Sequence, residues 1–320
     1  MKTSDDMLRS LVEELFPAQL AVWPDADGRY RRMHHALRRT LSLAGGEFEL
    51  KHLPDRAVST CARTDARSIA ERPCFLCASN RPQVQHRLPL PGSGLEILVN
   101  PFPIYDKHLT IPSLTHTPQR YSKHVMEQML EIAQSLGDYT VFYNGPHSGA
   151  SAPDHLHLQA VNTTNMPQIA QGTAGDGCRV LKTRGTTRLY FNPSLTTRPV
   201  TVSGTDFGEM ADMMTNALSL LPVNPGETEP RLNLYATSIP DSVEMALTAI
   251  LRDRHRPRCY GDDGVIFSPG AIDMGGCIVL PRKSDFDTLT SGKLQSMMDE
   301  VLLPEETFNR FILDCISHPL

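Results

Sequence analysis

His155 and His157 stand one residue apart in "HSGASAPDHLHLQAV", residues 147–161, and Gln159 follows two positions later. An imidazole can serve as nucleophile, base or metal ligand. The order His-Leu-His-Leu-Gln alternates polar and apolar side chains, and in an extended strand successive side chains point to opposite faces. His155, His157 and Gln159 are therefore expected on one face, with Leu156 and Leu158 entering a core behind it. A nucleophilic histidine must present one nitrogen unprotonated while the other donates to something fixed. A strand supplies backbone carbonyls for that purpose at regular positions. Attack on an α-phosphate also needs donors for the phosphoryl oxygens, because phosphoryl transfer is catalysed mainly by positioning and electrostatics. Gln159 offers an amide, and Asn144, Ser151 and the backbone N–H groups of the turn around Gly149 offer more. Two other readings of the pair stay open: a half-buried strand face without chemistry, and joint chelation of one metal ion.

Further groups carry chemical potential. "ERPCFLCASNRP" holds Cys74 and Cys77 with two residues between them, a spacing that suits one tetrahedral metal. A redox pair is disfavoured by the lack of a βα context, and two buried thiols on a turn are the bland alternative. His108, in "DKHLTIP", is one further candidate ligand. "RAVSTCARTDARS" carries Arg56, Arg63 and Arg67, which suit either phosphates or a solvated helix face. "RDRHRPRCY" alternates Arg252, Arg254, Arg256 and Arg258 around His255. On a strand that row invites an anion, although an exposed sheet face explains it equally.

These groups need elements to position them. Residues 4–16 read as a capped amphipathic helix, and 28–42 as a second, basic helix. From 55 to 163 the pattern is short strands around one long helix, "PQRYSKHVMEQMLEIAQSL", with a proline near its start. "NTTNMPQIAQGTAGDGC" reads as a polar linker. Beyond it the grammar of sheet, helix, sheet recurs, with "KHLTIPSLTH" and "TAILRDRHRP" as counterparts, and the chain ends in helices from about 285. Hairpin-connected strands with packed helices indicate an α+β fold. There is no glycine fingerprint of the dinucleotide or P-loop type.

Composition narrows the function classes. The chain has 320 residues, 40% of them hydrophobic, and a formal charge of −5, so no global field invites nucleic acid. No apolar run reaches membrane length, and the N-terminal segment does not read as a signal peptide. Seven scattered cysteines suit a reducing cytoplasm better than a disulfide framework.

The pattern Asn-Gly-x-x-x-Gly-Ala-Ser, residues 144–151, followed by His-Leu-His-Leu-Gln, resembles the active-site segment of the histidine-triad superfamily. It is most similar to the branch of galactose-1-phosphate uridylyltransferase, diadenosine tetraphosphate phosphorylase and GDP-sugar phosphorylases, in which a glutamine replaces the third histidine. Ser151 lies four residues before His155, one more than in that family. The resemblance implies two tandem histidine-triad-like units, antiparallel sheets with packed helices. Residues 1–170 would be the catalytic unit, and 171–320 a second unit lacking His-x-His, giving one active site per chain. It implies that His157 forms a nucleotidyl intermediate, that Gln159 binds the phosphoryl group, and that Asn144, Gly149, Ser151 and Arg56 bind substrate. "NPFPI", residues 100–104, resembles the family's segment beside the base pocket. The family's zinc ligands map onto Cys74, Cys77, His116 and His155, a structural site. The expected activity is nucleotidyl transfer or phosphorolysis on a nucleoside diphosphate sugar or dinucleoside polyphosphate. The acceptor would be phosphate or a sugar phosphate, with no nucleic-acid or membrane partner, and homodimers occur in the family. Glutamine in place of an acid/base histidine argues for transfer over hydrolysis. A nucleotide sensor without catalysis and a nucleotide hydrolase are the alternatives.

Overall fold

A computed structural model describes residues 4–60, 66–173 and 177–318. Among these, thirteen strands form two sheets. In chain order they are β1 (Leu37–Leu43), β2 (Gly46–His52), β3 (Leu88–Leu90), β4 (Leu95–Val99), β5 (Leu109–Pro112), β6 (Tyr139–Asn144) and β7 (His157–Asn162), then β8 (Arg179–Arg184), β9 (Thr187–Phe191), β10 (Val200–Gly204), β11 (Leu232–Ser238), β12 (Met245–Leu251) and β13 (Cys277–Leu280). The larger sheet has ten strands in the order β3-β4-β5-β7-β6-β11-β12-β10-β9-β8, all antiparallel.

That order is one motif used twice. Outward from the centre, β6-β7-β5-β4-β3 is matched by β11-β12-β10-β9-β8. Helix Lys123–Leu136 connects β5 to β6, and helix Phe207–Leu218 connects β10 to β11 at the equivalent place. Both helices begin where a side chain satisfies an orphan N–H: Ser122 accepts from Val125 at 3.2 Å, and Asp206 from Glu209 at 2.9 Å. Lys123–Leu136 ends at Gly137, whose φ of 71° suits a residue without Cβ. Its buried face, including Met126, Met129, Leu130 and Ala133, covers the sheet and packs beside Phe207–Leu218. This is the α+β arrangement expected, with the repeated grammar realised as a repeated strand order. The counterpart pairing differs. "TAILRDRHRP" falls on β12, which occupies the place of β7, whereas "KHLTIPS" is β5 and matches β10.

Three segments depart from expectation. The basic stretch 28–42 is not one helix. Helix Pro24–His34 gives way to β1, which pairs with β2 through a tight turn at Ala44 and Gly45. The pairing available to Leu37, Thr40 and Leu41 outweighs weak helix propensity there. The long-helix proline lies outside, since the helix starts only at Lys123. The supposed linker carries helix Pro167–Thr173, with Met166 and Ile169 fully buried. The smaller sheet, β1-β2-β13, joins the two ends of the chain, with β13 parallel to β2.

The halves meet at β6 and β11, where Phe142 faces Tyr235 and Asn144 faces Asn233 in register. A second tie is polar. Glu229 is buried, accepting from the Tyr143 hydroxyl at 2.9 and 3.0 Å and from Tyr121 N–H at 2.9 Å. Burial raises its carboxyl to about 7 from an ordinary 4.5, against the lowering effect of these bonds and of Arg120. The folded chain thus keeps a proton that the unfolded chain releases. This stability is fully present below about pH 4.5 and is lost as pH rises through about 7. The amount is on the order of 3 kcal/mol. Glu229→Gln should therefore reduce the fall in melting temperature between pH 5 and 8, and equal slopes in both proteins would exclude the effect.

Candidate active site

His157 opens β7, with Pro112 of β5 as its cross-strand partner. Its Nδ1 lies 2.8 Å from the backbone oxygen of His155. A carbonyl only accepts, so Nδ1 carries the hydrogen and Nε2 keeps a bare lone pair. Burial lowers the imidazole to about 4, which leaves it neutral at pH 7. The main chain is held by Gln119, which sequence reasoning missed. Its Oε1 accepts from His157 N–H at 2.8 Å, and its Nε2 donates to the carbonyls of Asn144 and His157 at 2.9 and 3.1 Å. Gln119 stands in the irregular segment before the helix, where no periodicity marks it.

Gln159 lies on the same face. Its Oε1 accepts from His108 Nε2 at 2.8 Å, and His108 Nδ1 accepts from Ile104 N–H at 3.4 Å. The carbonyl end of Gln159 is thereby held from behind, and its NH₂ end is left for the cavity that Gln159 lines with His157. His108 is fully buried and pushed down to about 3, hence neutral. It supports Gln159 and is not part of the cysteine cluster.

On the other side of the strand's start, Cys74, Cys77, His116 and His155 converge, their ligand atoms all within 4.8 Å of one another. Cys74 Sγ is 3.3 Å from His155 Nδ1, and Cys77 Sγ is 3.3 Å from His116 Nδ1 and 3.6 Å from His155 Nδ1. His155 Nε2 donates to the Ser113 carbonyl at 2.8 Å, which turns Nδ1 toward the thiols. Two sulfurs and two nitrogens at these separations could hold one metal ion. Asp154, paired with Arg72 at 2.9 Å, lies 3.9 Å from His116 Nε2. His155 and His157 thus point to different tasks, and joint chelation by the pair is not what the fold arranges.

The polar cradle beside His157 comes from the turn after β6. Asn144 Oδ1 accepts from Asn233 Nδ2 at 3.0 Å and from Ala271 N–H at 2.7 Å, so its NH₂ end is the one presented to the cleft. Gly149 has φ +105°, and a Cβ there would sit 2.6 Å from Gly270 Cα. This glycine crossing lets the turn meet the second half. Ser151 and Arg56 line the cleft, and Arg56 also donates to the Phe102 carbonyl at 2.9 Å. Burial lowers Arg56 to about 10, with Asp273 opposing, and it remains charged at neutral pH. Arg67 is instead on an exposed helix, paired with Glu71 at 2.8 Å. Arg63 lies outside the described residues.

Two cavities share Arg56, Ser151 and Gln159 in their walls. The larger, about 750 Å³, is bounded by Trp23, Phe75 and Phe102 together with His157. Arg29 stacks over Phe102 at 4.3 Å and Arg72 over Phe75 at 5.0 Å. The smaller, about 70 Å³, is polar and includes His255, Arg256 and Ser268. Trp23 was not anticipated, because it sits between two helices with no pattern around it. "NPFPI" does supply cavity wall, through Asn100, Pro101 and Phe102.

The whole chain can be compared with solved structures on this basis. Yeast Ap4A phosphorylase Apa2 is similar with a TM-score of 0.61 at 16% identity, over 88% of this chain and 97% of that one. Its complex with Ap4A gives 0.63 at 16% over 93% and 97%, and its complex with AMP 0.55 at 15% over 89% and 97%. The likeness, over most of both chains, shows a shared fold. Two family models match parts of the chain: a domain of unknown function, DUF4922, over residues 15–162, and a GDPGP1-like C-terminal domain over 262–318. The first contains the cysteine cluster, His157 and Gln159. The second contains Ser268, Gly270 and Asp273. No curated protein matches the chain in sequence.

Gly149→Ala should disturb the cleft, since both the positive φ and the contact with Gly270 oppose a Cβ. A loss of about 1–3 kcal/mol is expected. Chemical denaturation would measure it, and a wild-type midpoint would contradict the crossing.

Proposed function

We propose that the protein is a nucleotidyltransferase of the phosphorylase type, acting on a nucleoside diphosphate sugar or a dinucleoside polyphosphate. The observation that carries this reading is the Nδ1–H bond from His157 to the His155 carbonyl, which leaves Nε2 as a lone pair at the wall of a cavity large enough for a nucleotide. The resemblance of the fold to a protein named Ap4A phosphorylase, crystallised with AMP and with Ap4A, supports it.

In this reading the base lies among Trp23, Phe75 and Phe102. Nε2 of His157 attacks the α-phosphorus. A P–N bond forms, the P–O bond to the departing phosphate breaks, and the electron pair leaves on that oxygen. An oxygen of the acceptor phosphate then attacks the same phosphorus and returns the pair to Nε2. Gln159, Asn144, Ser151 and Arg56 bind the phosphoryl oxygens through both steps. Nδ1 keeps its hydrogen throughout, so the His155 carbonyl faces more positive charge in the intermediate and stabilises it. Gln159 cannot protonate a leaving group, and a weakly basic phosphate needs no proton. This favours phosphorolysis or transfer over hydrolysis.

Cys74, Cys77, His116 and His155 would hold zinc in a closed four-ligand site that fixes the start of β7. In the proposed division, residues 1–170 form the catalytic unit and 171–320 the second unit; β12 carries no histidine. Among the described residues no helix is long and apolar enough to cross a membrane. No disulfide joins the six described cysteines, and we assign the protein to a reducing cytoplasm.

Rapid quench with labelled nucleotide sugars or dinucleotides should trap an acid-labile, base-stable protein adduct. His157→Ala should abolish it, and an adduct on that variant would refute the nucleophile. Metal analysis should find about one zinc per chain. Undiminished zinc after Cys74→Ser with Cys77→Ser would remove the proposed ligand set.

A further inference from the structure

We propose that the small polar cavity is a phosphate subsite built by the second half of the chain, where His255, Arg256 and Ser268 hold the acceptor phosphate or the phosphate of a phosphomonoester. This rests on the reading of the large cavity as the nucleotide site.

The two cavities divide the chemistry between them. One is wide and walled by aromatic rings, at about 750 Å³. The other, at about 70 Å³, has no room for a base. They meet at Arg56, Ser151 and Gln159, the residues assigned above to the phosphoryl oxygens. A group in the small cavity therefore sits directly beyond the α-phosphate, where a leaving or attacking phosphate belongs.

"RDRHRPRCY" lends His255 and Arg256 to its lining, in a conformation its alternating charge does not suggest. β12 ends at Leu251, so the arginines do not form a row on a strand. Arg252 turns inward and is 2% exposed. Its guanidinium donates to the carbonyls of Arg254 at 3.2 Å, His255 at 3.0 Å and Pro269 at 3.3 Å, and to Asn233 Oδ1 at 2.8 Å. A buried cation thus clamps, from behind, both loops that border the cavity. Arg256 is aimed by two contacts: Nε donates to Ser268 Oγ at 2.8 Å, and the guanidinium lies 4.1 Å over the Tyr260 ring. Ser268 Oγ is also 3.0 Å from His255 Nε2.

These bonds form a relay with one undecided hydrogen. Arginine Nε only donates, so Ser268 Oγ accepts there. With an oxyanion present, His255 Nε2–H donates to Ser268, and the Ser268 hydroxyl donates to the anion. Arg56 and Arg256 supply positive charge, and Asn144 its NH₂ end. Asp273 is the opposing charge in the lining, but its oxygens already accept from Gly270 and Val279 N–H, each at 2.9 Å. A Cβ at Gly149 or Gly270 would press on Asn144 Oδ1, at 3.2 and 3.0 Å, so the two glycines let that amide keep its place in the lining. Charge-assisted donors of this kind suit a tetrahedral phosphate.

The test is calorimetric titration of the full-length protein with inorganic phosphate and, separately, with glucose 1-phosphate. Arg256→Gln and Ser268→Ala should each weaken binding by about 10-fold or more, with melting temperature confirming that each variant folds. Loss on either ligand supports the subsite and names its source. Unchanged affinity for both ligands in both folded variants, or no binding of either to the wild type, overturns it. His157→Ala separates the two readings: it should keep phosphate binding while losing the adduct. Adduct formation by that variant would sink the nucleophile and leave the subsite standing.

Discussion

The site depends on one hydrogen bond, from the His157 ring to the carbonyl of the residue two places before it. A free imidazole divides its hydrogen between two nitrogens. Here the backbone decides, because a carbonyl can only accept. The carbonyl is itself fixed, since its residue is held by Ser113 on one ring nitrogen and turned toward two thiols with the other. Behind the strand, Gln119 ties His157 N–H and two carbonyls together in a single side chain. Buried amides with all their bonds made are stiff, and leaving one unpaired costs about 1–3 kcal/mol. The ring is therefore held through Nδ1 by main chain, and its strand by the Gln119 side chain, where His157 lines the cavity.

The same logic runs through Gln159 and Asn144. Each has its carbonyl oxygen occupied by donors from behind, His108 for one and Asn233 with Ala271 for the other. An amide so held can only offer hydrogens forward. These two amides add donors to the cleft without adding an acid or a base. Much of this support comes from residues after 230. The strand repeat has thus kept its shape twice while the two copies have taken different tasks: one bears the histidine, the other props the cradle.

The sequence made the first copy legible for a physical reason. Period-two alternation in His-Leu-His-Leu-Gln puts His157 and Gln159 on one strand face as expected, while His155, expected there too, precedes β7 and turns to the thiols of the Cys-x-x-Cys turn. The four clustered ligands were named through a resemblance, and the fold brings those four side chains together. What stayed hidden depends on contacts across long stretches of chain. Gln119 lies 38 residues from the histidine it supports, and His108 51 residues from Gln159. Trp23 reaches the cavity from a helix junction with no motif. The arginine row misled because charge alternation mimics a strand, while a single buried guanidinium, Arg252, bends the backbone out of that path. The stretch read as a linker is helical because Met166 and Ile169 found a core to fill.

The seam between β6 and β11 has a consequence for any attempt to divide the chain. β6 is buried along its whole length, and its outer backbone groups are satisfied by β11. A fragment ending near residue 170 would keep His157, Gln159 and the four clustered cysteine and histidine ligands, yet it would bare the edge of a central strand, with Val141 and Tyr143 beside unpaired N–H and C=O groups. Such an edge is a template for adding foreign strands, and aggregation is its usual fate. The second half therefore covers a strand border along which the first half alone would add foreign strands.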